Sequence, residues 1–335
     1  MHQGALIDDA ALGGSKAFAR DLRDGQGVDS IFLVRERARR ETRSGDAFLK
    51  LRLSDVTGLV EGVVWDDLDA AEQPTTPGTI VRVEGRFALD SRHGGCITVR
   101  AVRAAAPHEY DARDVHDAPP HPYDAMVADM RDLIATVQSP HLRALLDSFF
   151  GDGSAEWERW RQAPAAKHYH QAYRHGLLEH CLSVAQGVSA LSATFPGIDR
   201  DVAVTGALLH DIGKIDAYEQ VGAAIEMSDA GRLQGEIPLG YYMIRRRIED
   251  LPGFPADVAQ AVLHIILSHH GKLEHGSPVT PCTREATLVH MIDNLGGTLG
   301  SFDRIEKSLG AGECWSRYDR ALSSSAYFGP RADAA

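Results

Sequence analysis

At 335 residues the chain exceeds the usual size of one domain, so two domains are expected, each large enough to bury a core. Its 44% hydrophobic and 24% charged residues are those of an ordinary soluble protein and exclude wholesale disorder, while a net charge of -12 disfavours coating nucleic acid by bulk electrostatics and leaves room only for a local basic surface. Four scattered cysteines without a CxxC pair exclude a zinc ribbon or disulfide framework, and no segment reaches the apolar length of a membrane span. The opening MHQGALIDDAALGG has no basic stretch followed by an apolar run, so a cytoplasmic location with reduced thiols is expected.

After a short lead-in at 16–27 the pattern becomes extended. Val28 to Arg40 runs from apolar to charged, Ala47 to Asp55 alternates with period two, and Gly58 to Trp65 follows a Thr57-Gly58 turn. A Pro/Thr-rich connector then leads to PGTIVRVEGRFALD and GGCITVRAVRAA, two more alternating strands separated by a turn at Arg92 to Gly95. Five short strands with glycine turns in under a hundred residues predict a small antiparallel β-barrel over 16–105. The run FLKLRLSDVTGLVEGVVWD, the connector and PGTIVRVEGRF together resemble an OB-fold of the nucleic-acid-binding type. Binding a single strand needs cations that track the backbone and flat side chains on which bases stack. The segment offers Arg35, Arg37, Arg39, Arg40, Arg43, Lys50 and Arg52 among Phe32, Phe48 and Trp65. Taken singly, each aromatic is more readily a core residue and each arginine a solvated one. As a group they point to nucleic acid, with Arg35, Arg37, Phe48, Lys50 and Trp65 as contacts.

Residues 106–122 are rich in Pro, Asp and His, have neither apolar period, and read as a linker. His93, His108, His116 and His121, in apparent loops, are expected at the surface. From 123 to 310 the apolar period is helical, so this second domain is expected to be all-α, with Trp157 and Trp160 one turn apart and packed on its body. Residues 311–335 read as a loose tail. The fold class is therefore an N-terminal β-barrel followed by an all-α domain.

Chemistry concentrates in the helical part. Gly206 to Lys214 reads GALLHDIGK, in which a turn of helix delivers His210 and Asp211 side by side before Gly213. An imidazole beside a carboxylate offers a nitrogen and two oxygens, enough for the Asp to span two cations. Alone, the stretch is equally a glycine-ended helix with a His favoured by the dipole. Other segments supply partners: His180 inside an amphipathic helix, His269 and His270 closing ADVAQAVLHIILSHH, and Asp293 inside EATLVHMIDNL. Buried Asp and His are costly unless a cation or another partner satisfies them. The pattern H...HD...HH...D resembles that of the HD-domain metallophosphohydrolases.

KHYHQAYRHGLLEHCLSVAQG at 167–187, with ALLHDIGKI, LSHHGKLEHGSP and EATLVHMIDNL, resembles the YhaM-type bacterial 3'-to-5' exoribonucleases, which join an OB-fold to an HD domain. The resemblance covers roughly 28–305 and implies divalent-metal-dependent removal of nucleotides from a 3' end, with Mn2+ the favoured cation. One departure stands out. Where the family commonly has Gly-His after the HD helix, this chain has Gly235-Glu236; a carboxylate there suits a hard cation such as Mn2+ or Mg2+, or else Glu236 caps the next helix and the second metal is weak or absent.

The expected arrangement has His180, His210, Asp211 and Asp293 on one cation and Asp211, Glu236, His269 and His270 on a second. Mn2+ is the first choice, with Mg2+ and Co2+ as alternatives and one or two ions per chain. Asp211 and Lys214 are the expected catalytic residues, Lys214 pairing with a phosphate oxygen. Lys167, His168, His170, Arg174 and His175 precede the helix of His180, where cations oppose the macrodipole unless an anion is held; they are expected to contact substrate phosphate. The expected substrate is single-stranded RNA, with DNA open, cut to nucleoside 5'-monophosphates. Two other readings stand beside this one: an HD hydrolase of small nucleotides, and a nucleic-acid-binding factor with a vestigial metal site.

Overall fold

The alternating segments become strands because their apolar residues, two apart, all turn to one side. A computed structural model of the chain describes residues 17–329 except 43, 91–93, 112–113, 116–118, 168–170, 222–223, 308 and 310–312. In it β1 (Gly27–Glu41), β2 (Ala47–Asp55), β3 (Gly58–Val64), β4 (Ile80–Asp90) and β5 (Gly94–Ala104) close into a barrel in the order β1-β2-β3-β5-β4. β4 pairs back on β1, and only β3 and β5 run parallel, so the barrel has the OB arrangement. Phe32, Leu49, Leu51, Leu53, Val81, Val83 and Ile97 fill the interior and are fully buried, each worth roughly 1.5–3 kcal/mol over exposure. Phe32 is thereby a core residue and drops out of the aromatic group that could meet bases. The β4–β5 register slips between Glu84 and Gly85, where the strands approach so closely that a Cβ on Gly85 would sit 2.3 Å from the Thr98 carbonyl oxygen. The connector after β3 carries α1 (Leu68–Glu72), a helix too short to show an apolar period.

The chain divides into two compact units, Met1–Asp111 and Ala112–Ala335. The second is helical. It contains α2 (Tyr123–Ala135), α3 (Pro140–Phe150), α4 (Ala155–Trp160), α5 (Gly176–Ser192), α6 (Arg200–Leu209), α7 (Lys214–Ala217), α8 (Asp229–Gln234), α9 (Glu236–Asp250), α10 (Ala256–Ser268) and α11 (Arg284–Lys307). Short polar residues start several of them: Ser139, Ser154 and Ser228 accept from backbone N–H groups of α3, α4 and α8, and the Asp199 carboxylate accepts from Asp201 and Val202 at the head of α6. Among the described residues of 123–310 the helical reading has one exception, a two-stranded ribbon of β6 (Tyr218–Val221) and β7 (Ala224–Met227), whose four-residue strands are too short for alternation to show.

α6 lies in the middle of this unit, packed against α5, α10 and α11, and every residue from Val202 to Leu209 is buried. α5 buries Leu177, Leu178, Cys181, Leu182, Val184, Ala185 and Val188, the three-and-four spacing of a helix sunk in a core. Trp160 is fully buried with its ring 4.6 Å from Phe150, and Trp157 packs 5.8 Å from Trp160. The described end of the chain is not loose: within 313–329, Trp315 pairs with Tyr327 and Asp319 with Ser324 as a small antiparallel hairpin beyond α11. Among the described residues no helix is long and apolar enough to cross a membrane.

Candidate metal centre

Four of the central helices each bring polar side chains into the apolar interior. His180 comes from the first turns of α5, His210 and Asp211 from the turn that ends α6, His269 and His270 from the end of α10, and Asp293 from α11. Glycines let these segments close. A Cβ on Gly206 would lie 2.4 Å from Ile265 of α10, and one on Gly213 would lie 2.1 Å from the Glu236 carbonyl oxygen, so the HD turn rests directly on α10 and on the head of α9.

The side chains converge on Asp211. Its Oδ2 lies 3.3 Å from His180 Nε2 and 3.3 Å from His210 Nε2, while its Oδ1 lies 3.6 Å from His269 Nε2. His180 Nε2 is also 3.1 Å from His210 Nε2 and 3.1 Å from Asp293 Oδ1. Two triads result, His180–His210–Asp293 and Asp211–His269–His270, each with ligand atoms within 4.8 Å of one another. The carboxylate of Asp211 thus turns one oxygen to each.

The donors are set for a cation. His210 Nδ1 lies 2.7 Å from the Ala207 carbonyl, His269 Nδ1 2.8 Å from that of Ile266, and His270 Nδ1 2.9 Å from that of His275. A carbonyl can only accept, so each Nδ1 carries the proton and each Nε2 presents its lone pair to the centre. Two buried atoms, Asp211 Oδ1 and His269 Nε2, face each other with no hydrogen-bond partner, an arrangement that costs free energy until a cation fills it. Without a metal the site balances itself with protons. Burial disfavours a charged His180, but Asp211 and Asp293 outweigh it and push its pKa up to about 9. Burial likewise opposes ionised Asp211, yet Lys214 and the imidazoles hold it well below the usual carboxylate range, and His180 does the same for Asp293. Burial and the neighbouring His269 lower the pKa of His270, which favours the neutral, ligating form. Cys181 also nears His210 and Asp211, but burial drives its thiol pKa far up and keeps it protonated, a poor ligand. The residues therefore fit a divalent cation.

Lys214 Nζ sits 2.7 Å from Asp211 Oδ2, so its ammonium is tied to the central carboxylate. Glu236 opens α9 and reaches the rim of the second triad, its Oε1 3.8 Å from His270 Nε2; among the described residues it is a member of neither triad. A cavity of about 260 Å³ opens from the ligands along α11 and is lined beyond them by Asn294, Gly297, Thr298, Ser301 and Ala321. These five were not singled out in the sequence, where only the position of Asn294 beside Asp293 hints at them.

The basic group before α5 is spread over other tasks. Lys167 pairs with Glu226 at 2.6 Å, Arg174 bonds Gln162, and His175 stacks on Tyr123 with ring centroids 4.6 Å apart while heading α5. None of them lines the cavity, and His168 and His170 lie outside the described residues, as do Arg43, His93 and His116. Three further histidines flank the site: His290 supports it from behind, its Nδ1 donating to the His269 carbonyl at 2.7 Å. His264 accepts from the Cys282 amide, and His275 contributes its carbonyl to His270.

On the barrel, Phe48 and Trp65 stack with centroids 4.9 Å apart, and Trp65 is 44% exposed. Lys50, two residues from Phe48, pairs with Glu61 at 2.8 Å across β2–β3. Arg35 donates to Ser54 at 2.7 Å and Arg37 to the Glu72 carbonyl, so both serve the barrel itself.

A family model described as HD domain matches residues 177–297, the stretch that contains every member of both triads. The chain is 30% identical over 310 residues to the 3'-5' exoribonuclease YhaM of Geobacillus sp. (strain WCH70), covering 91% of this chain and 93% of that one. It is 28% identical over 309 residues to the 3'-5' exoribonuclease YhaM of Bacillus subtilis (strain 168), covering 91% and 96%. Among solved structures, a small single-stranded DNA-binding protein from Streptomyces coelicolor aligns with 16% identity over 25% of this chain and 96% of that one, at a TM-score of 0.21. The near-full-length identity to the Geobacillus relative, together with the HD match around the two triads, shows that the chain belongs to the YhaM family of 3'-5' exoribonucleases.

Proposed function

We propose that the chain is a divalent-metal-dependent exonuclease that removes nucleotides one at a time from the 3' end of single-stranded RNA. The observation that carries the reading is the Asp211 carboxylate with its two oxygens turned to two different sets of imidazoles. His180, His210, Asp293 and Asp211 Oδ2 would hold one cation; Asp211 Oδ1, His269 and His270, with Glu236 at the rim, would hold a second. Mn2+ suits this mixed nitrogen and carboxylate set, with Mg2+ and Co2+ as the alternatives. When bound, the metals supply an activated water and neutralise charge on the phosphate.

The protein's own residues do the positioning. The three histidine Nδ1–H bonds to backbone carbonyls fix ring orientation before any ligand arrives. Lys214 keeps Asp211 ionised and is placed at the cavity for a non-bridging phosphate oxygen. In the reaction water adds to phosphorus, the bond to the 3'-oxygen of the preceding nucleotide breaks, and that oxygen takes up a proton, leaving a shortened strand with a 3'-hydroxyl and a nucleoside 5'-monophosphate. The stacked Phe48 and Trp65, with Lys50 beside them, suit the bases and phosphates of a single strand. The relatives' names favour RNA over DNA, and a cytoplasmic setting agrees with that substrate.

A time course on one single-stranded RNA labelled at its 3' end or its 5' end, with Mn2+, Mg2+ or Co2+, tests the reading. The 3' label is expected to leave at once as a mononucleotide while the 5'-labelled strand shortens in single steps. Hydrolysis of free nucleotides with the oligomer left intact would overturn it.

A further inference from the structure

The cavity beside the metal centre is divided in charge. One end holds the imidazoles, carboxylates and Lys214; the other, formed by Asn294, Gly297, Thr298, Ser301 and Ala321, carries no charge. Thr298 and Ser301 even turn their hydroxyls back onto carbonyls of their own helix, at 2.8 and 3.1 Å. A phosphate belongs at the first end and a neutral nucleoside at the second.

What bounds the second end is not part of the helical body. Ala321 is at the tip of the hairpin between Asp319 and Ser324, where Ser323 adopts a left-handed φ of 51° and its N–H donates to the Arg320 carbonyl. The tip is fastened to α11. Asp319 accepts from Arg304 at 2.7 Å through one oxygen and from the Ala321 N–H at 2.9 Å through the other. Arg304 lies about 16 Å beyond Asp293 along the same helix at 1.5 Å per residue, so the tip is anchored at the far end of the helix that forms the uncharged floor, and Ala321 lines the same cavity as the metal-site residues. Phe328 packs 6.1 Å from Phe302 and completes the hairpin's seat.

The geometry points to the hairpin tip as the stop that makes the enzyme exonucleolytic: the space between the metal ligands and Ala321 takes one terminal nucleoside, and a strand continuing past the scissile phosphate meets the tip. The inference rests on the exoribonuclease reading and adds to it what sets product length and the demand for a free end. Ala321, Asp319 and Arg304 are positioning residues; none of them touches the reacting phosphorus.

The test uses the full-length protein with Mn2+. Replacing Arg320, Ala321, Leu322 and Ser323 by Asn-Gly, a two-residue turn that suits the flanking antiparallel pair, withdraws the wall and keeps the hairpin. Dinucleotides and longer 3' fragments are expected beside mononucleotides, together with cleavage of a circular single-stranded RNA that the parent leaves intact. Mononucleotides alone and an intact circle, from a variant that still degrades linear RNA, would overturn the inference while the exoribonuclease reading stands. If the parent itself degrades no RNA, the two fall together. Should the shortened hairpin fail to fold, Ala321→Trp decides: filling the chamber is expected to lower kcat/KM on RNA at least 10-fold with metal content and melting temperature unchanged, and parental kcat/KM would overturn the inference.

Discussion

The barrel and the helical unit carry their chemistry in opposite ways. On the barrel it is spread over exposed side chains, and several of the cations are already engaged: Arg35 with Ser54, Arg37 with the Glu72 carbonyl, Lys50 with Glu61. In the helical unit it is packed into the interior, where His180, His210, Asp211 and His269 are all buried. An exposed cation has water as an alternative partner, so its presence demands no explanation. A buried carboxylate and three buried imidazoles do demand one, and two of their atoms have no hydrogen-bond partner. Substitutions should therefore act steeply in the second unit and shallowly in the first.

The largest effect is expected from Asp211→Ala. The second triad loses a member and the first loses the carboxylate oxygen turned toward it, so bound metal and RNA hydrolysis should fall by at least about 100-fold, above the losses typical of substitutions behind the ligand shell. The fold should suffer too, because Lys214, its side chain 13% exposed, loses the carboxylate to which it is tied. Adding Lys214→Met separates the two consequences. The double variant should recover its melting temperature and stay inactive; recovery of activity would remove Asp211 from the centre of the mechanism.

Glu236→Ala comes next, because Glu236 touches only the edge of the second triad. Metal analysis should show two ions per chain in the parent and one in the variant, with RNA hydrolysis reduced about 10- to 100-fold. Unchanged stoichiometry and affinity would take Glu236 out of the ligand set and leave the second site to Asp211, His269 and His270.

The same contrast explains what could be read from the sequence. Alternation located β2, β4 and β5, since a strand with one buried face must repeat every second residue, while β1 showed as an extended run from apolar to charged and β3 as the run after the Thr57-Gly58 turn. It could not show that Phe32 points inward while Phe48 meets Trp65 outside, because that depends on the closure of β1 on β4. In the helical unit the segments that converge on Asp211 were visible because each sets a His or Asp in an apolar helix. Partners from distant segments were not visible: no spacing announces that Lys167 pairs with Glu226 or that His175 stacks on Tyr123. The ribbon β6–β7 and the hairpin at 313–329 have too few residues per strand for any period, and the hairpin is held to α11 by contacts from distant positions, Arg304 with Asp319 and Phe302 with Phe328.

On the barrel the effects shrink. Trp65→Ala should weaken binding of a single-stranded oligonucleotide by about 1–3 kcal/mol, the usual worth of one stacked base, while hydrolysis at saturating RNA changes little. A filter-binding isotherm reads it, and an unchanged dissociation constant would leave the Phe48–Trp65 pair as a surface packing contact.

The smallest expected effect distinguishes the two regions by its sign. Lys50 and Glu61 are both about half exposed, so their pair is worth at most ~1 kcal/mol to the fold and is weakened by salt. Lys50→Ala should lower RNA affinity only slightly, because the ammonium it removes is partly spent on Glu61. Glu61→Gln should do the reverse. It frees Lys50 and removes a negative charge from the stacking surface, so RNA binding tightens at low salt and the dependence of log K on log[salt] becomes steeper by a fraction of one phosphate contact. No such gain is open at the metal centre, where removing a partner leaves a buried charge alone. If Glu61→Gln bound RNA no more tightly than the parent at 50 mM salt, this face of the barrel would not be where the strand lies.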